Sequence, residues 1–264
     1  MAIRVAVSGA AGRMGREVLK TVVLADDLEL VAACDRTSAG SKVSDLLGFG
    51  DSKVEIKSTL AESLNGVEAD VLVEFTHFSS AVEHSILAME KGIAVVIGTS
   101  GIGPSEVEKL KNASETTGIP VTIIPNFAVG AVLMMKFAEM AAEWLPNVEL
   151  IELHHDGKLD APSGTAMNLA HRLAEARKTT PAAKQETIKA EGARGADVAG
   201  IRVHSVRLPG FVAHNETIFG GNGEILTIRH DSMNRESFME GVKLAVRKVR
   251  STQGLTVGLD QFMF

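Results

Sequence analysis

The sequence predicts an α/β protein, with a helix-covered parallel sheet in the N-terminal half and an α+β domain with a mixed sheet in the C-terminal half. In the first half, short apolar runs alternate with helix-length stretches, which is typical of right-handed crossovers between parallel strands. In the second half, three apolar runs follow one another with only glycine-rich turns between them, which is typical of an antiparallel or mixed sheet. The chain has 264 residues, of which 45% are hydrophobic, so it can bury a core in one or two domains.

The first half supplies five predicted strands, each apolar enough for burial on both faces of a sheet. They are expected at 3–7, 28–33, 71–75, 93–97 and 121–124. Helices are expected between them at 13–24, 79–91 and 104–117. The last of these has Pro104 in its first turn, a position that proline favours.

The second half begins with a predicted apolar helix at 129–144 and a strand at 148–154. Another helix is expected to start near Gly164, because apolar residues recur from there at helical spacing. Residues 179–200 are polar and irregular, and we expect a long excursion there. The remaining predicted elements are strands at 201–207, 213–219 and 224–230, a helix at 235–250 and an apolar tail to residue 264.

The composition excludes several classes of function. A single cysteine cannot form an internal disulfide or a thiolate zinc cage, and the absence of tyrosine removes any phenol as proton donor. The net charge of −6 argues against nucleic acid as a partner, and no apolar run reaches the roughly 18 residues that span a bilayer. The N-terminus shows no targeting pattern. We expect a soluble cytoplasmic protein with no membrane partner and no metal.

Residues 9–15 form a glycine-rich turn, Gly-Ala-Ala-Gly-Arg-Met-Gly, between the first strand and the first helix. Glycines permit a tight turn and close approach of the backbone to a pyrophosphate, and the helix start supplies N–H groups and a positive dipole end. Asp35 stands about 20 residues further on, at the end of the second strand, where an acid reaches the ribose hydroxyls. Arg36 beside it can pair with a 2′-phosphate. We therefore expect a Rossmann-type domain that uses NADH or NADPH, with Arg13 as a further phosphate contact.

Later strand ends should also meet this cofactor, because ligands bind outside the carboxyl ends of parallel strands. Three segments stand there: Phe75-Thr76, Gly98-Thr99-Ser100 and Pro125-Asn126-Phe127. Thr99 and Asn126 can hydrogen-bond the nicotinamide amide or its ribose.

The run 152–166 gathers proton-transfer groups directly before a helix start. His154 and His155 titrate near neutral pH, and Lys158 adds an ammonium. Ser163, Gly164 and Thr165 open the helix and predict an anion site. Adjacent histidines on an extended chain point to opposite faces, which disfavours a metal site. The residues alone leave open which of the two histidines is the acid.

Charge is distributed unevenly along the chain. Residues 158–207 hold nine Lys or Arg against five Asp or Glu, a local balance of +4, while the remainder carries −10. A basic segment in an acidic chain can concentrate an anionic substrate at one site.

The motifs together resemble the family of 4-hydroxy-tetrahydrodipicolinate reductase, also called dihydrodipicolinate reductase, of bacterial lysine and diaminopimelate biosynthesis. The most specific match is the run 152–166, and the resemblance extends in order over nearly the whole chain. The other matching runs are 7–15, 74–76, 97–100, 126–130, 204–207, 220–224 and 235–238. Glu74 departs from the Asp that many relatives have.

The resemblance implies a homotetramer in which residues 1–126 and 235–264 form a Rossmann domain and 127–234 bind substrate and form the oligomer. The implied reaction transfers a hydride from NADH or NADPH to a cyclic imine dicarboxylate, with loss of water, and gives tetrahydrodipicolinate. His154 is implied as proton donor or acceptor and Lys158 as proton donor. Further roles fall on two sets of residues: substrate binding on His155, Gly164 and Thr165, and cofactor binding on Gly9, Ala10, Ala11, Gly12, Arg13, Met14, Asp35, Arg36, Gly98, Thr99, Ser100, Ile124, Pro125, Asn126 and Phe127.

Two other functions fit parts of the sequence. A Rossmann dehydrogenase of the aspartate-semialdehyde type needs a nucleophilic cysteine, and the only cysteine, Cys34, lies near the predicted adenosine end of the cofactor. A non-catalytic NAD(P)-sensing regulator needs the glycine turn but not the run 152–166.

Overall fold

The computed structural model describes residues 1–181 and 186–264. The chain divides into two compact units. The first unit comprises Met1–Phe127 and Phe238–Phe264, and the second comprises Ala128–Ser237. These boundaries fall one and three residues beyond those that the sequence predicts.

The elements in chain order are β1 (Ile3–Ser8), α1 (Arg13–Leu24), β2 (Leu28–Cys34), α2 (Val43–Leu47), β3 (Ile56–Lys57), α3 (Leu60–Ser63), β4 (Val71–Glu74), α4 (Phe78–Glu90), β5 (Ala94–Ile97), α5 (Pro104–Thr117), β6 (Val121–Ile123), α6 (Val129–Ala142), β7 (Asn147–His154), α7 (Gly164–Ala176), β8 (Ala196–Val198), β9 (Ile201–Arg207), β10 (Ala213–Gly221), β11 (Glu224–Ser232), α8 (Met239–Lys248) and β12 (Leu255–Val257).

The first unit is built on a parallel sheet of seven strands in the order β12-β6-β5-β4-β1-β2-β3. The middle of the sheet is fully buried, with Val5, Leu72 and Val95 at 0% exposure. The five predicted strands and three predicted helices of this half lie where the sequence places them, within one or two residues. The predicted fold class is confirmed.

The sequence did not predict several short elements of this unit. Strand β3 has two residues and α3 four, too few for a hydrophobic period to be visible. The segment expected as an apolar tail contains β12, which pairs in parallel with β6 at the sheet edge. The helix expected at 235–250 is shorter, because a 3₁₀ turn at Arg235–Phe238 precedes α8 and another at Val249–Ser251 follows it.

The second unit holds a mixed sheet in the order β11-β10-β7-β9-β8. Although they follow one another in the sequence, the strands at 201–207 and 213–219 do not pair, because β7 lies between them. Strand β9 runs parallel to β7, and β10 runs antiparallel to it. The predicted excursion contributes β8, which pairs with β9.

Alternate residues of β7 point to opposite faces of this sheet. One face, which carries Glu152 and His154, is buried, and a Cβ on Gly130 of α6 would lie 2.7 Å from His230 on that same face. The opposite face carries Glu149, and its side chains are only half buried.

Candidate functional site

The glycine turn after β1 has the geometry of a phosphate cradle. Gly9 adopts φ +77°, and a Cβ there would lie 2.6 Å from the carbonyl oxygen of Phe75, so only glycine fits. Helix α1 begins at Arg13 with no side-chain cap on its N-terminus. The positive end of this helix therefore faces the turn, as dinucleotide binding requires.

Asp35 follows β2 and is tied to the glycine turn. The N–H of Ala11 donates to its Oδ2 at 3.1 Å, and the N–H and hydroxyl of Thr37 donate to its Oδ1 at 2.9 and 2.7 Å. Burial raises the pKa of Asp35, but these hydrogen bonds outweigh that effect and hold the pKa below its ordinary value. The carboxylate is thus ionised at the position predicted for the ribose hydroxyls.

A cavity of about 440 Å³ opens at this end of the sheet. Predicted residues in its lining are Gly9, Ala11, Gly12, Asp35, Arg36 and Phe75. The lining also includes residues that the sequence did not single out, among them Ser8, Thr37, Thr59, His77, Ser80 and His84. Thr59, His77 and Ser80 lie at helix starts, Ser8 ends β1 and His84 lies within α4. No local sequence pattern shows that these positions meet at one cavity.

A buried polar network supports the floor of this cavity. Glu74 is fully buried, and its Oε2 lies 3.0 Å from Nδ1 of His84, while its Oε1 accepts from the N–H of Thr76 at 2.7 Å. The hydroxyl of Ser8 lies 2.9 Å from the same Nδ1. Since both contacts use one ring nitrogen, this cluster is not a Ser–His–Glu relay, which needs both nitrogens. It holds Glu74 in place below the glycine turn.

The other predicted cofactor residues occupy neighbouring strand ends. Gly98 follows β5, where a Cβ would lie 2.2 Å from the ring of Phe75, so glycine admits the packed rings of Phe75 and Phe127. Thr99 donates through its hydroxyl to the carbonyl of Glu74 at 3.4 Å. The rest divide by exposure: Ala10, Ile124 and Phe127 are buried, Arg13, Ser100 and Pro125 are exposed, and Met14 and Asn126 are half buried.

In the second unit, His154 ends β7 with its ring against a buried carboxylate. Its Nδ1 contacts Oε2 of Glu152, which is 0% exposed. Arg207, at the end of β9, donates to both oxygens of Glu152 at 3.0 and 2.7 Å. The N–H of Ser163 donates to Glu152 as well, at 3.3 Å. The sequence suggested no role for Glu152 or Arg207 beyond membership of matching runs, since 55 residues separate them.

The electrostatics of this cluster favour an ionised glutamate and a neutral histidine. Burial raises the pKa of Glu152, but hydrogen bonds from Arg207, Ser205 and His154 bring it below its ordinary value. Burial lowers the pKa of His154, and the nearby charges of Lys158 and Arg207 lower it further, against the opposing effect of Glu152.

The turn after β7 carries the other predicted residues. Lys158 donates to Oδ1 of Asp160 at 2.7 Å, and this contact lowers the pKa of that carboxyl. His155 is exposed, on the opposite side of the chain from the buried His154. Arg207 donates to the carbonyl of Asp160 at 2.7 Å and so ties this turn to the sheet.

Helix α7 starts at Gly164 and is capped by Ser163, whose hydroxyl accepts from the N–H of Ala166 at 3.2 Å. Ser163 is buried, and its hydroxyl and N–H are both used within the fold. Gly164 is exposed and Thr165 half exposed, so the accessible part of the predicted anion site consists of these two residues.

Most described cations of the basic segment 158–207 have partners in the fold. Arg172 pairs with Glu139, Lys178 with Glu143, and Arg194 with Glu149 and Glu186. Lys184, one of the nine cations counted in the sequence, lies outside the described residues. The +4 balance is therefore largely neutralised by acids, several of them outside the segment.

Three further observations concern metal binding, membrane spanning and cysteine chemistry. Across residues 1–181 and 186–264, no group of three or more His, Cys, Asp or Glu side chains is arranged to hold a metal ion. Within the same residues, no helix is long and apolar enough to cross a membrane. Cys34 is buried, and burial raises the pKa of its thiol to about 11, so it is not an active nucleophile at neutral pH.

Sequence comparison assigns both units to one family. The model described as "Dihydrodipicolinate reductase, N-terminus" matches residues 3–127, and the model described as "Dihydrodipicolinate reductase, C-terminus" matches residues 130–263. The chain belongs to the dihydrodipicolinate reductase family. Membership confirms the sequence-based identification of a 4-hydroxy-tetrahydrodipicolinate reductase that depends on NADH or NADPH.

Individual members of the dihydrodipicolinate reductase family match over their full length. The 4-hydroxy-tetrahydrodipicolinate reductase of Listeria welshimeri is 48% identical over 99% of this chain and 100% of its own. That of Geobacillus kaustophilus is 49% identical over 100% of both chains. Among solved structures, a dipicolinate-bound dihydrodipicolinate reductase from Paenisporosarcina sp. TG-14 superposes with a TM-score of 0.87, at 41% identity over 99% of both chains.

More distant structures share the fold alone. An amine dehydrogenase from Mycobacterium smegmatis has a TM-score of 0.68 at 17% identity, over 98% of this chain and 96% of its own. The aspartate-semialdehyde and regulator alternatives are set aside by the family assignment.

Proposed function

We propose that this chain reduces 4-hydroxy-tetrahydrodipicolinate to tetrahydrodipicolinate with His154 and Lys158 as its proton-transfer groups, in lysine and diaminopimelate biosynthesis. The observation that carries the proposal is that His154 contacts Glu152, which also accepts from the N–H of Ser163 at the start of α7, and that Lys158 follows in the same turn. With no tyrosine in the chain, these are the groups suited to proton transfer there.

The glycine turn and Asp35 would hold the cofactor. The cradle that excludes a Cβ at Gly9 and the ionised Asp35 fit the pyrophosphate and the ribose hydroxyls of a dinucleotide. Arg36, in the lining of the same cavity, would pair with a 2′-phosphate, so both NADH and NADPH fit. When bound, the reduced nicotinamide supplies the hydride.

The remaining predicted cofactor residues would contribute mainly through the backbone and through their position at strand ends. Ala10 is buried, and Gly98 and Ile124 lie where β5 and β6 end. Thr99 and Asn126 are proposed to reach the nicotinamide amide or its ribose.

The substrate is a dianion, and the start of α7 offers a site for one carboxylate. The N–H groups of Gly164 and Thr165 stand at the positive end of a helix of 13 residues. His155, exposed beside them in the turn, is proposed as a second contact. Ser163 would act by capping the helix rather than by touching substrate.

Oxidation of NADPH at 340 nm, with freshly generated substrate, tests the proposal. We expect turnover with either cofactor, and inhibition by dipicolinate, the flat dicarboxylate bound in the Paenisporosarcina relative. Near-normal turnover of both His154→Ala and Lys158→Ala in the same assay would refute the proposed roles of these residues.

We further propose a cytoplasmic homotetramer that forms through the second sheet. The support is the sheet face opposite α6 and α7, where Ile151, Leu153 and Ile218 are half buried and Ile225 is 76% exposed. A face that exposes apolar side chains beside the pairs of Glu149 with His204 and Arg194 suits a symmetric contact. Light scattering should give four times the chain mass of 28.0 kDa, and a monomer would refute the proposal. Cell fractionation tests the compartment.

A further inference from the structure

The proton-transfer histidine is held by two residues that the sequence left without a role. Glu152 is fully buried and contacts His154, and Arg207 donates hydrogen bonds to both of its carboxylate oxygens. Ser163 adds a backbone hydrogen bond, so the carboxylate is held from three elements, β7, β9 and the start of α7. A buried charge that is this fully paired keeps one position and one ionisation state.

The contact between Glu152 and His154 fixes which ring nitrogen carries a proton. An ionised carboxylate only accepts hydrogen bonds, so Nδ1 of His154 must be the donor. In a neutral imidazole the other nitrogen, Nε2, then has a free lone pair. Such a ring accepts a proton through Nε2 and cannot donate one there until it has done so.

The charge on His154 depends on Arg207. A lone carboxylate beside an imidazole favours imidazolium and raises the pKa of the ring. Arg207 compensates the negative charge of Glu152, and the ammonium of Lys158 also disfavours a positive charge on the His154 ring. Asp160, the other carboxylate of the turn, is paired with Lys158. These are the charged groups that bear on the ring from β7, β9 and the turn.

We propose that Glu152 and Arg207 act together as positioning residues that keep His154 neutral with Nδ1 protonated, which makes Nε2 the base and Lys158 the acid of the reaction. This inference rests on the proposed function of His154 and Lys158 and assigns each of them a direction of proton transfer.

In the loss of water, Nε2 of His154 takes a proton from the ring carbon beside the hydroxyl-bearing carbon. The C–O bond breaks, a C=C bond forms, and hydroxide leaves with a proton from Lys158 as water. After reduction, the imidazolium returns its proton to the same carbon, and Lys158 regains one from solvent. The protein ends as it began, and one proton is consumed for each turnover.

The first test reads the tautomer directly in the intact enzyme. With ¹⁵N-labelled histidine, the His154 signals, assigned by their loss in His154→Gln, should show protonated Nδ1 and unprotonated Nε2 at pH 7.5. The opposite tautomer, or an imidazolium, would overturn the proposal.

The second test follows kcat against pH in variants of the pair. Arg207→Gln leaves Glu152 uncompensated, so the pKa of His154 should rise, and the acid limb should move up by about one pH unit. Arg207→Lys keeps a cation and should retain the acid limb of the wild type. Glu152→Gln should lower kcat about 10²-fold or more with little change in KM, because the tautomer is no longer imposed.

The matched control is Glu139→Gln, which removes one carboxylate of a Glu–Arg pair between α6 and α7. It tests for a general effect of losing a partly buried ion pair, and its pH profile should equal that of the wild type. If Arg207→Gln and Glu152→Gln behave like this control while His154→Ala is inactive, the inference fails and the proposed function stands. If His154→Ala itself turns over normally, the proposed function fails.

Discussion

The second sheet carries the same trio of side chains twice, once on each face. On the buried face, Glu152 holds His154 and Arg207, and on the open face Glu149 holds His204 and Arg194. The glutamates are three residues apart on β7 and therefore point in opposite directions. Glu152 is 0% exposed, whereas the side chain of Glu149 is 35% exposed.

The two clusters differ in burial and in the nitrogen that is engaged. His204 contacts its glutamate through Nε2 at 2.8 Å, and His154 does so through Nδ1, which leaves Nε2 directed away from the carboxylate. Within a single chain, water screens the charges of the open cluster, and such pairs contribute little to its stability. The comparison teaches that residue type alone does not make a proton-transfer site. Burial, the identity of the ring nitrogen that contacts the glutamate, and the neighbouring turn with Lys158 distinguish one cluster from the other.

The largest expected contrast is in catalysis. His154→Ala and Lys158→Ala should each lower kcat by roughly 10²–10⁴, the usual contribution of general acid–base catalysis, and should leave the Kd for NADPH unchanged. His204→Ala, the counterpart on the open face, should not change kcat if the tetramer persists. Steady-state kinetics with calorimetric cofactor titration measure both. Near-normal kcat in both His154→Ala and Lys158→Ala would show that the buried cluster is no more catalytic than the open one.

The next contrast is in stability. Glu152→Ala should lower the free energy of unfolding by about 3–5 kcal/mol, because it removes a fully buried carboxylate and leaves the half-buried Arg207 without its partner. Within a single chain, Glu149→Ala should cost about 0–1 kcal/mol, since its pairs are exposed there. Urea denaturation at one protein concentration compares them, and equal losses would show that burial does not separate the clusters.

A third carboxylate, Asp35 in the first unit, is compared because its proposed partner is the cofactor and not another side chain. Asp35→Ala should weaken NADH binding about tenfold or more, because a charged hydrogen bond is lost, and should weaken NADPH less. Fluorescence titration with the two cofactors gives the ratio. An equal loss for both would mean that Asp35 does not contact the 2′-hydroxyl.

The smallest expected effect concerns salt. At about 1 M NaCl, where the screening length falls to roughly 3 Å, the stability difference between wild type and Glu149→Gln should disappear. The loss caused by Glu152→Gln should persist, because buried pairs are screened much less. Denaturation curves at low and high salt check this. A salt-sensitive Glu152 effect would place that cluster in contact with solvent.

The sequence predicted long periodic elements well and paired elements poorly. Helices α1 and α5 begin and end where the apolar pattern and Pro104 indicate. Strands β3, β8 and β12 have two or three residues and exist because a neighbouring strand completes their hydrogen bonds. The same dependence on partners explains why the sequence does not predict the strand order of the second sheet: no local pattern records which strands pair.

The candidate site divides in a similar way. Gly9, Asp35, His154 and Lys158 could be proposed from sequence because their types and spacing follow local rules about turns and strand ends. Glu152 and Arg207 could not, because their pairing joins two strands 55 residues apart. Nor could the sequence show that the positive charge of the segment 158–207 is largely compensated, since its cations pair with acids such as Glu139 and Glu149 elsewhere in the chain.

By itself, the sequence determined the fold class, the family, the dinucleotide turn and the run that contains the proton-transfer groups. These depend on short-range order, which a chain displays directly. Only the tertiary structure decided that Glu152 is buried, that Arg207 pairs with it, and that the ring of His154 contacts it through Nδ1. Charge and protonation depend on what surrounds a group, and in this protein the surroundings come from distant parts of the chain.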